Sequence, residues 1–280
     1  MELKVTGAKG IQSSLVYSFP PCPTQHVVFF QGDTQNLRAN METQYEDVSR
    51  WKNWCLENTC VWLQKKFPTA AIWIVRPCRM LRNLFSCFHQ FVNSSITGVP
   101  DYDSTFGAIP HLRLLLKDAI RQVCQERRLD DRDVEHLPIT LVGFSKGCVV
   151  LNQIVHELSN YVDKVHRAAE LEEFASRMEK ISLFVKRFKA FYWLDSGHSG
   201  DHGAWITDDR LLKTLAALKA DIYVHVTPYQ VCCAQRPWIG EEEKMFVEKL
   251  RSFGADVHET IHFEHDGRTL AKHFQVLEVF

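Results

Sequence analysis

A chain of 280 residues, 45% hydrophobic and 24% charged, has the make-up of a globular protein with a large core. A formal net charge of −1 removes the electrostatic basis for nucleic-acid binding. No apolar run reaches the ~18 residues that a membrane-spanning helix needs, and the opening residues, MELKVTGAKGIQSSLVY, show neither a signal-peptide core nor the Arg-rich pattern of a transit peptide.

In chain order, 2–5 and 13–19 read as short opening strands. Residues 27–30 form a buried strand that runs into Gln31-Gly32-Asp33. An amphipathic helix is predicted over 43–66, with Trp51, Trp54, Leu56, Val61 and Leu63 on its apolar face. Another buried strand follows at 70–75, stopped by Pro77. Residues 79–106 read as loop. Their aromatic residues (Phe85, Phe88, Phe91, Tyr102, Phe106) would suit an acyl pocket, but such stripes more often belong to a core. A helix is predicted over 108–128, a strand over 137–142, a helix over 146–158 and a charged helical insertion over about 159–187. Strands at 188–194, 221–226 and 257–263 then alternate with helices at 208–219, 240–253 and 268–279. Apolar strands alternating with amphipathic helices specify an α/β protein with a mostly parallel central sheet, helices covering both faces. With no internal repeat and no low-complexity linker, residues 1–280 read as a single domain.

The most informative segment is LPITLVGFSKGCVV, residues 137–150. A strand runs into Gly143-Phe144-Ser145-Lys146-Gly147, and a helical pattern follows at once. G-x-S-x-G in that context holds its serine on a strained turn, exposed above the sheet at a helix N-terminus. The two glycines are needed where strand and helix approach too closely for a Cβ. A second serine, in Gly197-His198-Ser199-Gly200-Asp201, lacks the closing glycine and the apolar helix.

A serine hydroxyl needs a histidine to take its proton and a carboxylate to orient that histidine. In an open parallel sheet these groups belong at the carboxyl ends of strands. Asp195 ends the first strand after Ser145, and no acid follows the next strand until Glu241. His273, eight residues beyond His265, has the loop length to swing back as base. His265 is the alternative and His198 a third candidate. An oxyanion hole would use the backbone N–H of Lys146 with one from the Gly32-Asp33 turn. The Lys146 side chain is expected in solvent.

Nine cysteines without a C-x-x-C spacing indicate a reducing compartment and no zinc site. His258 and His262 would share a strand face without being adjacent. His198 and His202, beside Asp195 and Asp201, form the one cluster in which a metal could be imagined, but no metal is assigned.

These residues resemble the α/β-hydrolase superfamily from about residue 27 to the end, in the order Ser145, Asp195, His273. The superfamily more commonly carries its acid one strand later. More narrowly, FFQGDTQN, LVGFSKGC, YWLDSGHSG, VTPYQV and HFQVLEVF are similar to an animal family of mitochondrial, hydrolase-like proteins named after chromosome 2 open reading frame 69. The resemblance implies a mitochondrial, hydrolase-like protein without an assigned substrate, and the candidate nucleophile, acid and base together predict a serine hydrolase that cleaves an ester, thioester or amide without a cofactor. Family members carry a longer targeting leader that is not visible here, and without the resemblance the chain would read as cytoplasmic. The alternative is a non-catalytic protein of the same fold that binds a protein partner.

Overall fold

The computed structural model describes residues 1–43, 49–165 and 172–280. Its centre is an eight-stranded sheet in the order β1-β2-β4-β3-β9-β10-β11-β12. Those strands are β1 (Glu2–Thr6), β2 (Gln12–Ser18), β3 (Gln25–Phe30), β4 (Ala70–Val75), β9 (Ile139–Phe144), β10 (Phe188–Leu194), β11 (Asp221–Val226) and β12 (Val257–Ile261). β1 and β2 pair antiparallel, as do β2 and β4; every pairing from β4 through β3 to β12 is parallel. The eight strands of the central sheet fall where the sequence places them, except that the strand predicted over 137–142 is displaced to Ile139–Phe144 and the last strand stops two residues short of its predicted end at 263.

Successive side chains of a strand point to opposite faces, and the core divides accordingly. Val28, Phe30, Trp73, Leu141, Phe191 and Trp193 join one buried cluster. Helices α3 (Ala108–Arg127), α5 (Cys148–Val165), α6 (Glu172–Val185), α7 (Asp209–Ala217) and α9 (Trp238–Ser252) cover it. Val27, Phe29, Ile72, Ile74, Val142 and Phe144 join the other. That face is covered by α2 (Leu56–Lys66) and α10 (Leu270–Val279), which contributes Phe274 and Leu277. Short helices α1 (Arg38–Glu42), α4 (Arg132–Glu135) and α8 (Pro228–Val231) punctuate the connections.

Three stretches differ from expectation. The helix predicted over 43–66 lies partly outside the described residues, at 44–48. The rest is broken: a 3₁₀ turn at Lys52–Trp54 is followed by Cys55 in an extended conformation, and only Leu56–Lys66 is α-helical. The predicted insertion at 159–187 is not separate from the preceding helix, since α5 runs through to Val165. Residues 166–171 lie outside the described residues. The loop-like stretch 79–106 holds two small antiparallel pairs, β5 (Arg79–Leu81) with β6 (Phe85–Cys87) and β7 (Asn93–Ser94) with β8 (Pro100–Asp101). Phe88 and Phe91 pack edge-on to Phe30 in the core, so these two rings do not line a pocket.

Candidate active site

Ser145 follows the last residue of β9 and opens a 3₁₀ turn, Ser145–Gly147, that leads directly into α5. Its φ is +51°, a left-handed conformation costly for a side chain other than glycine. The flanking glycines have specific physical reasons. A Cβ on Gly143 would lie 2.8 Å from Cys148 Cα, so strand and helix do touch there. A Cβ on Gly147 would lie 2.0 Å from the Phe30 carbonyl oxygen, at the end of the neighbouring strand β3. The turn is thus wedged between its own helix and the adjacent strand.

Asp195 follows the last residue of β10, also at positive φ (+47°), and is fully buried. Its carboxylate is closely held. Oδ1 accepts the Thr227 N–H at 2.8 Å, and Oδ2 accepts the Thr227 hydroxyl at 2.5 Å. The same Oδ2 accepts His273 Nδ1–H at 2.6 Å. The structure thus brings Asp195 and His273 together across the sheet's carboxyl edge. Thr227 was not anticipated. It directly follows β11, the strand end where the resembling superfamily more commonly has its acid, and its position just before Pro228 is the available signal.

His273 lies in the first turn of α10, whose start is capped by the Thr269 side chain accepting the Lys272 N–H. The imidazole is 4% exposed and sits between the rings of Phe144, at 4.7 Å, and Tyr229, at 4.9 Å. Phe144 immediately precedes Ser145, so this ring contact ties the imidazole to the end of the elbow strand, although among the described residues no hydrogen bond joins Ser145 Oγ to His273. His265 is elsewhere: exposed, in the turn between β12 and α10. His198 is buried, with Nδ1 accepting the Gly200 N–H at 3.0 Å, and it does not meet Asp195 by hydrogen bond.

The Gly32-Asp33 turn lies against the elbow, for a Cβ on Gly32 would stand 3.0 Å from Ser145 Cβ. The Gly32 N–H, however, is already given to Gln35 Oε1 at 3.0 Å. The Asp33 N–H has no acceptor among the described residues. The Lys146 N–H belongs to a first helical turn, where backbone donors lack intrahelical partners. Burial raises the pKa of the Asp33 carboxyl, while Lys146, the Ser86 N–H donated at 2.7 Å and His273 pull it down.

The Lys146 side chain overturns an expectation. It is not in solvent but 2% exposed, among the largest fully buried side chains. The turn at Gly98 roofs it: a Cβ there would lie 3.4 Å from Lys146 Cε. The histidines considered for a metal are scattered. His202 pairs with Asp201 at the surface, His258 with Asp256, and His262 Nε2 meets His225 Nδ1 at 2.8 Å. Among the described residues no group of three His, Cys, Asp or Glu side chains is arranged to hold a metal, and no helix is long and apolar enough to cross a membrane.

Comparison with known proteins adds the lineage. The C2orf69 family model matches residues 4–137 and 126–256. The chain belongs to the C2orf69 family. The zebrafish (Danio rerio) relative, "Mitochondrial protein C2orf69 homolog", is 38% identical over 263 residues, covering 91% of this chain and 73% of the relative. The human (Homo sapiens) relative, "Mitochondrial protein C2orf69", is 34% identical over 304 residues, covering 93% of this chain and 75% of the relative. Similar solved structures include a thermostable esterase with TM-score 0.47 and 13% identity, covering 99% of this chain and 60% of that one. A Bacillus cereus carboxylesterase has TM-score 0.45 and 12% identity, over 95% of this chain and 92% of its own. Likeness at this level says nothing about activity.

Proposed function

We propose that this C2orf69-family chain is a serine hydrolase that cleaves an ester, thioester or amide through an acyl-enzyme on Ser145. The observation that carries the reading is the buried 2.6 Å hydrogen bond from His273 Nδ1 to Asp195. A carboxylate on Nδ1 fixes the tautomer and leaves Nε2 as the basic nitrogen. In this mechanism Ser145 Oγ attacks the carbonyl carbon while its proton passes to His273 Nε2. The N–H groups of Lys146 and Asp33 stabilise the oxyanion, with Asp33 taking the role that Gln35 denies to Gly32. His273 then protonates the leaving group, and a water, deprotonated by the same nitrogen, releases the acid and restores the hydroxyl.

The mitochondrial names of the relatives support a mitochondrial location for this chain. The decisive experiment is labelling with a fluorophosphonate probe, followed by peptide mapping. The expected outcome is a single adduct on Ser145 that is lost in Ser145→Ala. A folded chain that fails to label would instead support the binding-only reading of the fold.

A further inference from the structure

The mechanism above uses the backbone of Lys146 and leaves its side chain without a task. That side chain is 2% exposed, yet its ammonium makes no hydrogen bond and no ion pair with any described residue. Holding a charge on so enclosed a side chain without an ion pair is unfavourable, which makes the residue a candidate for completion by a ligand. Burial opposes the protonated form, while Asp33 and Cys87 lie near enough to favour it without forming an ion pair with the ammonium among the described residues. The ammonium donors are therefore free.

A second free donor stands beside it. His198 is 4% exposed, and its Nδ1 accepts the Gly200 N–H at 3.0 Å. The ring proton is therefore on Nε2, which is buried without a hydrogen-bond partner. Burial draws the His198 pKa down to about 4, while the nearby Gly203 carbonyl acts in the opposite sense and Lys146 adds to the lowering. His198 thus stays a neutral donor. The two side chains are held under one turn. A Cβ on Gly98 would meet Lys146 Cε at 3.4 Å and Cys87 Sγ at 3.3 Å, while a Cβ on Gly200 would meet His198 Cε1 at 2.8 Å and Val99 Cγ1 at 3.0 Å. Gly98 itself has φ +77°, a conformation that favours glycine and lets the turn close over the lysine.

We propose that Lys146 Nζ and His198 Nε2–H bind an anionic group of the substrate, a carboxylate or a phosphate, one lysine side chain away from the carbonyl that Ser145 attacks. An ammonium and an imidazole N–H that lack hydrogen-bonded acceptors, both beside the turn that carries Gly98 and Val99, match the oxygens of such an anion. The proposal deepens the hydrolase reading and rests on Ser145 as nucleophile, since the side chain that holds the anion belongs to the residue whose N–H would face the oxyanion. It makes the substrate class an acidic acyl compound, such as a half-ester of a dicarboxylic acid or an ester bearing a phosphate.

Binding separates this idea from catalysis. Ser145→Ala protein would be titrated calorimetrically with glutarate and, separately, with inorganic phosphate. At least one should bind in the millimolar range or tighter, and the tighter one identifies the anion. Adding Lys146→Met, close in length but uncharged, should weaken binding by about tenfold or more. Adding His198→Phe, a ring without the donor, should weaken it several-fold and covers the case in which the methionine variant fails to fold. Binding that survives both substitutions would lie in the oxyanion hole and would overturn the proposal, as would no binding of either anion. Fluorophosphonate labelling of the native serine runs alongside. Labelling without lysine-dependent binding sinks the anion site alone, while lysine-dependent binding without labelling sinks the hydrolase reading alone.

Discussion

Asp195 takes part in four hydrogen bonds, giving its N–H to the His225 carbonyl and accepting three through its carboxylate. Such a network holds one oxygen toward His273 and forbids rotation. Asp195→Asn keeps the shape but presents an amide that favours the wrong imidazole tautomer, so the rate of fluorophosphonate labelling should fall by about three to four powers of ten. Labelling within a few-fold of the native rate would remove Asp195 from the mechanism. Thr227→Val tests the network from its other end. It leaves a buried carboxylate oxygen short of one donor and should cost about 1.5–3 kcal/mol in urea unfolding, with Thr227→Ser recovering most of it. No loss with valine would mean that the 2.5 Å contact contributes nothing. The backbone of Ser145 invites a third substitution. At φ +51° serine is strained where glycine is not, so Ser145→Gly should abolish labelling yet stabilise the fold by about 1 kcal/mol. Ser145→Ala, which keeps the strain, should leave stability unchanged.

At the scale of elements, the strand–turn–helix around Ser145 was legible because close approach leaves a mark in sequence: glycine two positions before and after. What each glycine meets was not legible. Gly143 faces its own helix, but Gly147 faces the Phe30 carbonyl, which belongs to another strand. Gly147→Val should consequently drive β3 from β9 and lower stability by more than about 4 kcal/mol, seen as insolubility or a collapsed melting transition. A well-folded valine variant would show that the two strands can part without cost. Burial of Lys146 was hidden for a related reason. A lysine after a nucleophile defaults to solvent, and only the remote turn at Gly98 and Cys87 makes it otherwise. The helix predicted over 43–66 is interrupted at Cys55 although its apolar spacing persists across that residue. There the chain is bent by a tertiary contact, the Leu56 N–H bonding to the Asn36 carbonyl. Strands of two or three residues, as in β5 to β8, are too short to carry any period at all.

Over the whole molecule, two neighbouring strand ends and a helix from one face build the site. β9 and β10 present Ser145 and Asp195 at their ends, while α10, from one face, returns His273. Several histidines are buried in a neutral state as this architecture closes. Burial lowers the pKa of His26 and of His111 from 6.5 to about 4, and that of His225 to about 3. Above pH ~6.5 such rings are neutral in folded and unfolded chains alike and give no slope. As pH falls below that value, the unfolded chain gains protons that the folded chain refuses, so stability declines until the native rings titrate near pH 4. The melting temperature should therefore drop steadily from pH 6.5 toward 4.5, and a flat profile would mean that these rings are hydrated in the native state.

The docking of α10 has an optical consequence. Trp51 and Trp54 each stack on Phe274 at 5.4 Å, and Trp54 Nε1 donates to Glu278 at 2.8 Å, one residue and five residues beyond His273 respectively. Trp73, Trp193 and Trp205, in contrast, are sealed in the opposite half of the core. Five of the seven indoles thus fall into two groups with distinct surroundings, and Trp62→Phe with Trp238→Phe would leave emission to those two alone. A red shift confined to the Trp51–Trp54 pair would report the last helix lifting away with its histidine, while the emission of the sealed indoles stayed blue until the sheet itself came apart.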